Sequence, residues 1–157
     1  MFLIMCLILG FSMLISVLDN FFPLIASILS MVISQAIKLI TMILTGRKLN
    51  IMSLTRSGGM PSSHSALITA ITLSIGLKNG FNSSHFFLAV ALSLVVIYDA
   101  RGIRHTVGKH ARILNQTILT DGATQLNEQT GHTFPEIIAG ISIGIIISLA
   151  LYNVIHF

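Results

Sequence analysis

The chain has 157 residues, of which 54% are hydrophobic and 9% are charged, and it contains no tryptophan. With a mean hydropathy of +0.89 it is too apolar for a soluble domain of this length, so the composition predicts a membrane protein. The formal net charge is +4, and in a membrane protein the positions of the cations matter more than their sum. Cys6 is the single cysteine, which excludes an intramolecular disulfide.

Five apolar runs approach the roughly 17 to 25 residues that a helix needs to cross a bilayer. They extend over about 2–18, 23–45, 63–77, 85–98 and 135–155. The first lacks a basic amino-terminal region and a small-residue cleavage site, so we expect a retained span and not a signal peptide. The polar letters DNFFP separate it from the second run. The third and fourth runs are short and need tilt or a thinned bilayer.

A long polar stretch separates the fourth run from the fifth. In its first part, apolar residues recur at steps of three and four opposite several cations, which predicts an amphipathic helix on the membrane surface or capping the bundle. The apolar positions are Ile103, Val107, Ala111, Leu114 and Ile118, and the cations are Arg104, Lys109 and Arg112. Residues 120–131 have no helical period and predict a polar loop.

No internal repeat or linker divides the chain. The sequence therefore predicts a single membrane-embedded domain over residues 1–157. Its fold class is all-α, a polytopic membrane helix bundle with about five transmembrane spans plus the amphipathic surface helix.

Alternating five spans across the bilayer collects the charged residues at one face, where runs two and four end and runs three and five begin. That face receives Arg47, Lys48, Arg56, Asp99, Arg101, Arg104, Lys109, Arg112, His132 and Glu136, and the opposite face receives Lys78. The positive-inside rule predicts that the crowded face, with the amino terminus, is cytoplasmic, in a protein of the cell membrane. The inference is weaker if these cations bind phosphate.

The letters GGMPSSHSA, residues 58–66, interrupt the apolar sequence with a polar turn. Ser62 or Ser63 can cap the helix that follows, and His64 falls in its first turn. Free N–H groups and the positive end of the helix dipole suit an anion there, and Gly58 and Gly59 let the backbone come close. The same letters also fit a capped helix start with an incidental histidine.

The letters GHTFPEIIAG, residues 131–140, form a second histidine motif. His132 and Glu136 are four residues apart at a helix start, where the carboxylate can hold one ring nitrogen and leave the other free as a nucleophile. Thr133 and Glu136 also match a capping box, with Pro135 tolerated in the first turn. In that case Glu136 serves the backbone instead of His132.

Taken together and in order, these motifs, the letters DARGIR at 99–104 and the letters LN resemble one known family. It is the type 2 phosphatidic acid phosphatase superfamily, which also contains bacterial acid phosphatases and vanadium haloperoxidases. The resemblance is to its divergent branch of small membrane proteins and covers the chain from about Asn20 onward. Several short motifs in a fixed order are far more specific than any of them alone.

The resemblance implies a membrane-bound lipid phosphate phosphatase that works through a phosphohistidine intermediate. His132 would attack phosphorus, Glu136 would orient it, and His64 would protonate the leaving alkoxide. The partners implied are the membrane and a phosphorylated lipid, a monophosphate or a diphosphate, and not a nucleic acid. No metal or other cofactor is needed. The implied phosphate-binding residues are Ser62, Ser63, Arg104, Arg101, Lys48, Arg56 and Lys38.

The chain departs from the superfamily pattern K-x6-R-P, P-S-G-H and S-R-x5-H-x3-D. Lys48 and Arg56 are one residue too far apart, and Ser57 stands where proline belongs. Leu126 occupies the place of the arginine six residues before the nucleophile.

Arg101 or Arg104 would supply the lost charge. Asp99 would fix that arginine or pair with Lys38, which can alternatively snorkel to the interface. The departures leave two alternatives open. One is a non-catalytic membrane protein that retains the fold to bind phosphorylated lipids or partners. The other is a metal-dependent activity that uses His64, His132 and Glu136.

Overall fold

The computed structural model describes residues 2–46, 59–117, 125–128 and 130–156. Within these ranges the chain forms helices and no strand, which confirms the all-α prediction for the described residues. The helices are α1 (Phe2–Leu44), α2 (Ser63–Asn79), α3 (Ser84–Arg101), α4 (Ile103–Thr117) and α5 (Phe134–His156). Three segments within them are long and apolar enough to cross a membrane: Ile15–Leu44, Ser84–Thr117 and Phe134–His156.

The first two predicted spans form one helix, because α1 continues through the letters DNFFP with Pro23 inside it. Pro23 has no N–H to donate to the carbonyl of Asp19 one turn earlier, and the ammonium group of Lys78 donates to that carbonyl instead. The Asp19 carboxylate lies 3.3 Å from Lys78 and 3.3 Å from His156, so its charge is balanced as well. The count of five spans is therefore not confirmed, nor is the placement of the amino terminus at the charged face.

The central helix is α2, which contacts α1, α3 and α5. The small residues Gly140 and Gly144 form a ridge on α5 that packs against α2. A Cβ atom at Gly140 would lie 2.3 Å from the carbonyl oxygen of Ser62, and one at Gly144 would lie 2.6 Å from that of Ala66. Only glycine permits this approach, so the ridge holds the beginnings of α2 and α5 together.

A stripe of buried polar residues runs along α1 at steps of three and four. It consists of Ser27, Ser30, Ser34 and Lys38. The hydroxyl groups of Ser27 and Ser30 donate to carbonyls of the preceding turn, both at 2.8 Å. Small side chains that bond to their own helix can be buried cheaply and let neighbouring helices approach, so the stripe is the packing face of α1.

The helix α4 follows α3 after the single residue Gly102. Its large apolar residues Ile103 and Val107 are 59% and 50% exposed, whereas Gly108 and Ala111 are buried. The predicted amphipathic helix is thus present over Ile103–Thr117, with its small residues and not its large ones against the rest of the protein. Ile118 and the first part of the predicted loop lie outside the described residues.

Candidate active site

Ser62 fixes the position of the first histidine motif. Its hydroxyl caps α2 by accepting hydrogen bonds from the Ser65 N–H at 3.3 Å and the Ser65 hydroxyl at 2.9 Å. Its own N–H donates to the carbonyl of Glu136 at 3.0 Å, which ties the beginning of α2 to that of α5. His64 therefore stands in the first turn of α2, where it is exposed.

The segment before α5 fixes the position of the second histidine. Gly131 has φ +83°, and a Cβ atom there would lie 2.3 Å from the backbone nitrogen of His105 in α4. The N–H of His132 donates to the carbonyl of Ala100, near the end of α3, at 3.0 Å. Backbone contacts with two helices thus hold His132, whose side chain is only 3% exposed.

His64 and His132 line one small cavity of about 20 Å³. Its other lining residues are Val96, Asp99, Ala100 and Arg104. The Nε atom of Arg104 lies 2.5 Å from Oδ2 of Asp99, so Asp99 holds this guanidinium group beside the two imidazole rings. Arg101, the other arginine that the sequence left open, is exposed and does not line the cavity.

The carboxylate of Glu136 lies close to both the backbone N–H of Thr133 and the ring of His132. Its Oε2 atom accepts the N–H of Thr133 at 2.7 Å, which confirms this bond of the predicted capping box. The same oxygen lies 3.5 Å from Nδ1 of His132. Neither ring nitrogen has a hydrogen-bond partner among the described residues. The imidazole is therefore buried next to a carboxylate with its nitrogens available.

Burial lowers the pKa of His132 below that of an ordinary imidazole. The negative charge of Glu136 opposes this shift because it favours the imidazolium form, whereas His64 and Lys38 reinforce it. The net lowering of the pKa keeps the ring neutral near pH 7. A neutral imidazole has a lone pair to donate, which is the state that a nucleophile requires.

A larger cavity of about 820 Å³ lies between α1, the beginning of α5 and the segment before it. Lys38 and Glu136 are on its wall, and Lys38 is only 9% exposed. Gly59 has φ +102°, and a Cβ atom there would lie 3.1 Å from Cε of Lys38. The two cavities adjoin at the His132 and Glu136 pair, since Glu136 lines the larger one and His132 the smaller.

The other predicted phosphate-binding residues within the described ranges line neither cavity. Ser62 and Ser63 are buried, and neither lines the small cavity or the large one. Lys48 and Arg56 lie outside the described residues. Across the described ranges, no three His, Cys, Asp or Glu side chains are grouped so that they could hold a metal ion.

Sequence interpretation missed two residues that position the site. Gln35 of α1 donates from Nε2 to the Ser63 hydroxyl at 3.1 Å, which links α1 to the first turn of α2. An amide inside an apolar run, three residues before Lys38, was the available signal. Thr130 donates its hydroxyl hydrogen to the Arg104 carbonyl at 2.9 Å and so holds the beginning of α4. Nothing in the sequence distinguishes Thr130 from the other residues of its polar stretch, so its positioning role could not have been predicted.

Comparison with known proteins identifies a family for this chain. A family model described as the Divergent PAP2 family matches residues 19–147, a range that includes both histidine motifs and Arg104. The uncharacterized membrane protein YuiD of Bacillus subtilis (strain 168) is 30% identical over 147 residues, covering 83% of this chain and 93% of that protein. No solved structure gives a significant match. With three segments able to cross a bilayer, the chain is an integral membrane protein, and it belongs to the Divergent PAP2 family.

Proposed function

We propose that the protein is a membrane phosphatase that hydrolyses lipid phosphomonoesters through a phosphohistidine intermediate. One observation carries the proposal: His64, His132 and Arg104 come from three different segments of the chain and line one cavity. A nucleophile, a proton donor and a fixed cation at one point are the groups that phosphoryl transfer requires. Membership of the Divergent PAP2 family supports the same reaction class.

In the first step His132 attacks the phosphorus atom through Nε2, while the bond between phosphorus and the lipid oxygen breaks. Glu136, beside Nδ1, stabilises the positive charge that the ring acquires. His64 in its protonated form donates a proton to the leaving alkoxide. Because partial burial lowers the pKa of His64, this form is favoured at more acidic pH than for an ordinary imidazole. In the second step His64 takes a proton from water, which attacks the phosphohistidine and releases inorganic phosphate. Arg104, held by Asp99, neutralises the phosphoryl oxygens in both steps.

A lipid substrate is supported by the larger cavity. Its walls include Ile37, Met42 and Ile143, and its polar part includes Lys38 and Glu136. We propose that acyl chains lie along the apolar wall while the phosphate reaches the histidines. The cations at this end of the bundle favour a cytoplasmic site in the cell membrane.

A second candidate function is the binding of phosphorylated lipids, or of protein partners, without catalysis. The volume of the small cavity favours it, because about 20 Å³ accommodates a single water-sized sphere. Side chains must move before a phosphate group can enter. Glu136 also already uses one carboxylate oxygen for the N–H of Thr133.

The deciding experiment is phosphate release by the purified protein in detergent from a panel of lipid monophosphates and diphosphates. We expect release that vanadate inhibits and that EDTA leaves unchanged. His132→Ala should lower the rate roughly a thousandfold or more. His132→Gln, which fills more of the buried space, should lose as much. Lipid binding without release favours the second candidate, and release that survives His132→Ala excludes His132 as the nucleophile.

A second substrate separates the two histidines. An aryl phosphate has a leaving group that needs no protonation, so on it His64→Ala should complete the first step nearly as fast as the wild type, measured as the burst of aryl alcohol released in the first turnover. On the lipid the same variant should be slower by roughly a hundredfold. His132→Ala should be inactive on both substrates. Equal losses of the first-step rate for His64→Ala on both substrates would contradict its assignment as the proton donor.

A further inference from the structure

The helix α4 leaves a stripe of large apolar side chains uncovered. Ile103, Val107 and Leu114 are 59%, 50% and 37% exposed. Their spacing of four and seven residues places them on one side of the helix. Within the described part of the chain, no element covers this side.

A different side of α4 faces the protein. A Cβ atom at Gly108 would lie 2.6 Å from the carbonyl oxygen of Glu128. Asn115 donates from Nδ2 to the carbonyl of Leu126 and to Oε1 of Glu128, both at 2.9 Å, and accepts the N–H of Leu126 at 2.9 Å. Contacts with the segment that precedes α5 therefore fix the rotation of α4 about its axis, and the apolar stripe faces outward.

The charge of α4 is of one sign. Ile103–Thr117 contains Arg104, Lys109 and Arg112 and no acidic residue. Lys109 and Arg112 are exposed and lie on the side away from the stripe. A cationic helix with a narrow apolar stripe is complementary to an anionic lipid surface, which offers negative headgroups above an apolar layer.

The position of α4 in the chain brings it to such a surface. It begins after one residue, Gly102, at the end of α3, whose apolar run lies in one of the membrane-spanning segments. With three cations in fifteen residues, α4 itself is too polar for the hydrocarbon layer. A helix that starts where a span leaves the bilayer has the headgroup layer as its immediate neighbour.

We propose that α4 lies in the interface of the protein's own membrane, with Ile103, Val107 and Leu114 in the lipid and with Lys109 and Arg112 attracted by anionic headgroups. The bilayer then forms one wall beside Arg104 and keeps the cavity of His64 and His132 at headgroup level. The proposal concerns the position of α4 in the membrane interface and does not depend on the proposed phosphatase activity.

The absence of tryptophan from the chain permits a direct test. Val107→Trp places a fluorophore in the stripe. Gln116→Trp is the matched control, because it is also exposed, retains every cation and lies nine positions along, on the opposite side at roughly 100° per residue. Each variant is reconstituted into nanodiscs of anionic lipid and titrated with lipids brominated on their acyl chains and, separately, with iodide.

We expect Val107→Trp to lose about half of its emission to brominated lipid and little to iodide, since an interfacial helix buries its apolar side below the headgroups. Gln116→Trp should show the reverse. Quenching of Val107→Trp mainly by iodide overturns the proposal, and so does protection from both quenchers, which would mean that a protein surface covers the stripe. Leu114→Trp provides a second reporter if Val107→Trp does not fold.

The electrostatic part has its own test. In Val107→Trp, quenching by brominated lipid should weaken when zwitterionic lipid replaces anionic lipid. Adding Lys109→Gln and Arg112→Gln should abolish this dependence on lipid charge. A dependence that persists without the two cations contradicts their role.

Discussion

The two ends of the helix bundle hold their polar side chains in different ways. At the end formed by Asp19, Lys78 and His156, the Asp19 carboxylate lies 3.3 Å from the Lys78 ammonium group and 3.3 Å from the His156 ring, and all three side chains are partly exposed. At the other end, His132 is 3% exposed and its ring nitrogens have no hydrogen-bond partner in the described part of the chain. Leaving a buried polar atom unpartnered costs about 1 to 3 kcal/mol. The Asp19 end therefore pairs its charged groups near solvent, whereas the His132 end leaves a buried imidazole ring without a hydrogen bond among the described residues.

Packing reinforces the contrast. At the Asp19 end the ring of His156 stacks on Tyr152 with centroids 4.1 Å apart, and Phe22, which is fully buried, contacts Tyr152 at 5.7 Å. These aromatic contacts fill the space around the ion pairs. At the His132 end the space around His64, His132 and Arg104 is left as a cavity. The following substitutions test whether the two ends have separate roles.

The largest difference is expected between two arginines of the His132 end. Arg104→Gln should lower kcat/KM for phosphate release about a hundredfold, because it removes the cation held against the phosphoryl oxygens. Arg101→Gln should change it less than about threefold, since Arg101 is exposed and does not line the cavity. An Arg101→Gln variant that is the more impaired of the two would show that the wrong arginine has been assigned.

A pair of glycines compares the rigidity of the two ends. Gly140→Ala should lower the free energy of unfolding by roughly 2 kcal/mol, because its Cβ meets the backbone carbonyl of Ser62 at 2.3 Å. In Gly76→Ala the Cβ meets the rings of Phe81 and Phe86 at 2.6 and 2.9 Å, and these side chains can move. Thermal unfolding in detergent should rank Gly140→Ala as the less stable variant. The opposite ranking would show that the close contact between α2 and α5 adjusts readily to an added methyl group.

The charge cluster of the Asp19 end should affect stability alone. Lys78→Met removes the partner of the Asp19 carboxylate and of its carbonyl group, and should cost about 1 kcal/mol of unfolding free energy because the pair is partly exposed. Phosphate release by the folded fraction should be unchanged. A loss of phosphate release as large as that of Arg104→Gln would show that the Asp19 end and the His132 end are coupled.

The smallest expected effect is a displacement of the pH profile. The proposed reaction needs neutral His132, so the rate should fall as the pH decreases through the pKa of this ring. Glu136 raises that pKa against the effect of burial, and removing its charge lowers the pKa further. With an aryl phosphate, Glu136→Gln should therefore move the acidic limb to lower pH. A move to higher pH contradicts this electrostatic relation.

Much of the architecture can be predicted from local sequence. Runs predicted at about 63–77, 85–98 and 135–155 correspond to α2 (Ser63–Asn79), α3 (Ser84–Arg101) and α5 (Phe134–His156). Their limits follow from local signals such as the cap formed by Ser62. The buried residues Ser27, Ser30, Ser34 and Lys38 of α1 also recur at steps of three and four, although they had not been predicted to be buried. Periodicity carries this information because a helix repeats every 3.6 residues.

Residues distant in sequence decided the rest. The continuity of α1 through Pro23 depends on Lys78, which lies 59 positions from the Asp19 carbonyl to which it donates. The choice of Arg104 over Arg101 depends on how Gly131 and Thr130 hold the beginning of α4. No pattern within one helix contains either contact.

The amino-acid sequence by itself determined that the protein is helical and embedded in a membrane, and it marked two histidine motifs as the chemically unusual segments. Tertiary structure decided that His64 and His132 share one cavity, that Arg104 joins them and that the stripe of α4 faces outward. The physical reason is the distance along the chain over which each effect acts. Hydropathy and helix caps act within a few residues, whereas a cavity exists only after separate helices have packed against one another.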